Sequence, residues 1–223
     1  MTLESKTILR DEAGVIARFM IYNFIILGVA GIMTVDANSG PGSFLETSWV
    51  EITQLAVLLT ASVLCLFIRR HPAGHPHAAL LLFGFLGASF IRECDAFLDT
   101  YVFDGCWQLL VILLVGGVLW LTWKNRLDFI IEMKTYLRSL ACGLFMSGFL
   151  TAYVFSRLFG RQHFWQAVMG EGYIRVVKTA VEECTELLGY AFLLFSVIEL
   201  AIMARNRHKQ KGRPQGAPDA ARG

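Results

Sequence analysis

Long uncharged runs alternate with short charged stretches along this chain. The runs cover 19–35, 52–68, 78–91, 105–123, 139–156 and 187–198. An α-helix rises about 1.5 Å per residue, so roughly 20 mostly apolar residues are needed to cross the hydrocarbon core of a bilayer. The first, second, fourth and fifth runs approach that length unaided. The third and sixth reach it only if neighbouring charged residues also enter the membrane. Those are Arg92, Glu93 and Asp95 after the third run, and Glu182, Glu183 and Glu186 before the sixth. The pattern predicts an all-α, polytopic membrane protein, a bundle of six transmembrane helices over about 13–35, 48–69, 77–98, 105–123, 138–157 and 174–204. A short N-terminal segment, 1–12, precedes the bundle. A basic tail, 205–223, follows it, and Gly212, Pro214, Gly216 and Pro218 mark that tail as disordered.

Lysine and arginine set the orientation. Arg69 and Arg70 follow the second run, Lys124, Arg126, Lys134 and Arg138 separate the fourth from the fifth, and six basic residues lie in the tail. The alternate connections, 35–48 and 99–104, contain no lysine or arginine. Both termini are therefore expected in the cytoplasm, with Arg157 and Arg161 as the exceptions to the rule. The mixed charges before the first run argue against a cleaved signal peptide.

Composition agrees with a membrane class: of 223 residues, 55% are hydrophobic and only 17% charged, below the quarter usual for soluble domains. The net charge of +2 gives no reason to expect nucleic acid, since the basic residues follow the membrane pattern. Five cysteines without paired spacing do not build a disulfide framework. The lipid bilayer is the first partner expected, with a membrane-protein partner or a homo-oligomer as further ones. The compactness and short loops suit a multi-pass protein of a plasma membrane, taken to be a bacterial inner membrane.

Charge inside the spans is the chemistry that stands out. Arg175, Lys178, Glu182 and Glu186 follow steps of three or four, which places them along one stripe of the sixth helix. Arg92, Asp95 and Asp99 form a similar stripe on the third. With cytoplasmic termini, Glu51 at the start of the second helix shares the outer half of the bundle with both stripes. Ionisable groups in membrane helices face the interior, because each costs at least roughly 2.5 kcal/mol toward lipid. Six carboxylates (Glu51, Glu93, Asp95, Glu182, Glu183, Glu186) stand against three cations (Arg92, Arg175, Lys178). That excess requires protonation, hydration or a bound cation.

The sequence thus leads to a carboxylate-rich site with Glu182 and Glu186 at its centre, Asp95 and Glu93 facing them and Glu51 closing one side. Arg92, Lys178 and Arg175 would orient the carboxylates. The site would take a proton, a cationic substrate or a divalent metal ion, with His163 as an additional ligand, for transport or metal-assisted membrane chemistry. The alternative is a non-catalytic membrane subunit or scaffold whose buried polar network is structural. No motif names a reaction, and there is no haem or nucleotide signature. The inward histidines that ceramidase- and adiponectin-receptor-like membrane hydrolases require are absent. His71, His75 and His77 crowd a short connection with Arg69, Arg70, Pro72 and Pro76, and read as an interfacial basic turn.

Overall fold

The computed structural model describes residues 3–40, 48–71 and 74–211. Among these residues 89% are helical and none lies in a strand. Among the described residues ten α-helices follow one another: α1 Leu3–Ala37, α2 Trp49–Arg70, α3 Pro76–Glu93, α4 Asp95–Tyr101, α5 Cys106–Lys124, α6 Arg126–Tyr136, α7 Leu140–Phe149, α8 Ser156–Phe159, α9 Gln162–Met169 and α10 Arg175–Lys211. A π-helical segment, Leu150–Phe155, joins α7 to α8, and a 3₁₀ turn, Gly170–Gly172, follows α9. Among the described residues five stretches are long and apolar enough to cross a membrane: Ala13–Ala37, Trp49–Arg70, Cys106–Lys124, Leu140–Phe159 and Arg175–Arg207. The chain is a helical protein with several candidate membrane spans.

α3 is not among the five. It has 18 residues, with Pro76 and His77 at one end and Arg92 and Glu93 at the other. The helix breaks at Cys94, and α4 resumes from Asp95. α10 continues past the apolar run to Lys211, while 212–223 of the predicted disordered tail lie outside the described residues.

The chain divides into two compact units, Met1–Val57 with Met146–Phe195, and Leu58–Phe145 with Ser196–Gly223. In the first unit the start of α2 is held by side chains at both sides of the preceding connection. The Ser48 hydroxyl accepts the Glu51 N–H (3.2 Å), and the buried Asp36 carboxylate accepts the Trp49 N–H (3.3 Å). These satisfy two of the amides that a helix N-terminus leaves without intrahelical partners. Ser48 and Glu51 also have the spacing of a capping box. The core packs α10 against the π-helical segment at very short range. A Cβ on Gly189 would sit 2.6 Å from the Ala152 backbone nitrogen, so only glycine permits this approach. Leu187, Tyr190, Ala191 and Leu193 are buried around the contact, and Tyr22 of α1 stacks on Phe195 at 4.3 Å.

In the second unit α3 packs on α5. A Cβ on Gly84 would lie 3.0 Å from the Val118 methyl carbons, and one on Gly87 would lie 2.9 Å from Leu114 Cδ2. Leu58, Ala61, Cys65, Leu86, Val197 and Leu200 are buried in this unit, and Phe85 meets Phe145 edge-on at 5.4 Å. The Ser196 hydroxyl donates to the Ala141 carbonyl (2.7 Å), tying α10 to α7.

Candidate functional site

The stripe predicted on the sixth span lies on α10, and the structure supplies the partners its carboxylates need. Lys178 Nζ is 2.8 Å from Glu182 Oε2, an i,i+4 pair within the helix. Arg157, on α8, reaches both stripe carboxylates: its Nη1 is 3.7 Å from Glu182 Oε1, and its Nη2 is 3.1 Å from Glu186 Oε1. Glu186 is only 4% exposed. The buried Ser156 hydroxyl, which donates to the Ala152 carbonyl (2.5 Å), is also 3.3 Å from Glu186 Oε1. Gly160 lies against the Glu182 carboxylate, where a Cβ would collide with it.

Local sequence explains this placement. The glycine contact at Gly189 brings the helices close enough for a side chain leaving α8 to reach α10. The π-helical segment carries one extra residue per hydrogen-bonded turn, and that offset sets the direction in which Ser156 and Arg157 leave the helix. Arg157 is one of the two cations, with Arg161, that break the lysine and arginine asymmetry expected from the sequence. It stands beside two carboxylates and pairs with both.

Glu183 points to a different partner. The fully buried Gln54 of α2 donates from Nε2 to the Glu183 carbonyl (3.1 Å) and to Glu183 Oε2 (3.0 Å). Glu51 stands in the first turn of α2, its amide on Ser48. Arg175 and His163 are exposed, the first at the start of α10 and the second on α9. Arg92, Glu93 and Asp95 belong to the second unit. There Arg92 pairs with Glu93, its neighbour in sequence, and the Asp95 carboxylate accepts the Ala96 N–H (2.6 Å) in the first turn of α4.

Among the described residues, no group of three or more histidine, cysteine, aspartate or glutamate side chains is placed to hold a metal ion. In the first unit Lys178 and Arg157 set two cationic groups against the Glu182 and Glu186 carboxylates. Arg157, Ser156, Gln54 and Asp36 were not among the predicted site residues. Only Arg157 carries a signal in the sequence, as a cation on the wrong side of the lysine and arginine rule. Comparison with protein-family models, curated proteins and solved structures finds no match to this chain.

Proposed function

We propose that the chain is a six-span integral membrane protein with both termini in the cytoplasm, and that the α8–α10 charge network locks the bundle as part of a non-catalytic membrane subunit. The sixth span in this reading is α3, whose polar end carries the Arg92–Glu93 pair into the membrane as a neutral unit. The lysine and arginine asymmetry supports the orientation, and the short connections suit a bacterial plasma membrane. One observation carries the structural reading: Arg157 joins Glu182 and Glu186, so the carboxylates at the centre of the stripe already have cations. A double-mutant cycle tests it. Glu186→Gln and Arg157→Gln are compared with the double variant by unfolding in lipid nanodiscs. A lock gives a coupling of about 1–3 kcal/mol, because either single change strands a charge and the double change does not. Additive effects reject it.

A second reading keeps the predicted proton or cation chemistry, and the exposure of Arg157 favours it. The arginine side chain is 46% exposed while Glu186 is buried, so the guanidinium has room to turn away and yield the carboxylates to a proton or a cationic substrate. Titration calorimetry with methylammonium, magnesium and manganese distinguishes the two. Saturable binding lost in Glu186→Gln supports exchange, and no heat with any of the three supports the lock.

A further inference from the structure

His75 departs from the basic interfacial turn predicted around it. It precedes α3 as the N-cap residue, its side chain is 0% exposed, and neither ring nitrogen has a hydrogen-bond partner among the described residues. Buried polar groups almost always have partners, so a fully buried imidazole without one carries a standing cost. The nearest charged group is Glu132 of α6, whose Oε1 is 3.7 Å from His75 Nδ1. That carboxylate is already engaged: Oε1 accepts the Ala78 N–H (2.8 Å), and Oε2 accepts the His77 N–H (3.1 Å). Glu132 thus caps the N-terminus of α3 from a neighbouring helix, where an anion suits both the free amides and the helix dipole.

We propose that His75 makes this α3–α6 junction acid-labile: a proton on the imidazole draws Glu132 off the first amides of α3 and opens the junction to water. Four interactions bear on the imidazolium. Burial disfavours it, because no water solvates the charge. The N-terminus of α3 repels it, since that end of a helix carries partial positive charge. Arg207, on α10, adds a further positive charge facing it. Only Glu132 favours it, and the carboxylate can approach only by leaving the Ala78 amide that shares Oε1. Glu132 and Arg207 are the charged groups acting on His75 among the described residues. Burial first, and then Arg207, hold the imidazole down at about 4, against an ordinary 6.5. The closed junction therefore excludes the proton, while the open one accepts it near the ordinary value. The junction is fully held above pH 6.5 and is lost progressively as the pH falls toward 4.

The test is hydrogen exchange of the full chain in lipid nanodiscs, read on a peptide covering the first turn of α3 and corrected for the intrinsic pH dependence of exchange. The wild type should lose roughly 30-fold in protection between pH 7.5 and 5, the factor that follows from those two proton affinities by linkage. His75→Asn, a good cap residue that does not titrate, should show a flat profile. Arg207→Gln should move the midpoint of the loss to higher pH, which a purely structural role for His75 would not produce. A flat wild-type profile, or a His75→Asn profile that follows the wild type, overturns the proposal. If His75→Asn does not fold, the Arg207→Gln midpoint decides: a shift upward sustains the proposal and an unmoved midpoint overturns it.

Discussion

Glu186 in the first unit and Glu132 in the second are both carboxylates where two helices meet, and each is held by a different kind of donor. Glu186 is met by a guanidinium and lies beside a hydroxyl. Glu132 is met by two backbone amides, with a histidine beside it that hydrogen-bonds to nothing described. The first arrangement needs a second charged side chain to be delivered from another helix, and so depends on how closely the helices approach. The second needs only a helix end with its first amides free, which every helix has. A membrane protein can therefore keep an acidic side chain between helices in two ways. One depends on the approach of two helices, and the other on the protonation of its neighbour.

The sharpest way to break the comparison is at the glycines behind it. Gly189→Ala should destabilise the first unit by about 3 kcal/mol, since the new Cβ meets the Ala152 backbone at 2.6 Å and neither helix can yield. Gly84→Ala in the second unit should cost about 1 kcal/mol, less than half of that larger loss, because its Cβ meets the Val118 side chain at 3.0 Å, which can turn. Unfolding by sodium dodecyl sulfate in mixed micelles measures both, and equal losses would erase the distinction between backbone and side-chain contact. Next in size is Glu132→Gln. The amide keeps one acceptor and turns a donor toward the other α3 amide, so a loss of about 1–2 kcal/mol is expected. The exchange rate of the first turn of α3 should rise with it, and an unchanged rate would mean that α3 does not rely on this cap. The smallest effect belongs to Lys178→Gln. A single i,i+4 pair contributes about 0.5 kcal/mol or less, and Arg157 still serves Glu182 after the change. A loss as large as that from Gly189→Ala would place Lys178, rather than Arg157, at the centre of the network.

Much of the helical character was legible in the chain because apolar runs of this length have few other solutions in lipid. The relation of Lys178, Glu182 and Glu186 was legible for a similar reason: side chains four apart on a helix are neighbours whatever surrounds them. Arg157 was visible only as an anomaly. It lies 25 residues before Glu182 and 29 before Glu186, and no periodicity links α8 to α10. Their contact depends on Gly189 accepting the backbone at Ala152, which sequence registers merely as a small residue. The tally of six carboxylates against three cations omitted Arg157, which narrows the excess to six against four. Glu132 escaped notice for another reason. It stands in a charged connection where an acidic residue is unremarkable, and its role comes from backbone amides, which no sequence pattern displays.

The π-helical segment Leu150–Phe155 sets the phase of α8, which continues it without a break. Successive residues of an α-helix are separated by about 100° around the axis, so one surplus residue is a quarter-turn error that the chain keeps. Deleting any single residue between 150 and 155 would let an ordinary helix run through and swing the downstream side chains round by about that angle. Ser156 and Arg157 would then leave Glu186 without any change in charge. A frame-preserving deletion of one codon could thus do more to this network than replacing any of its acids.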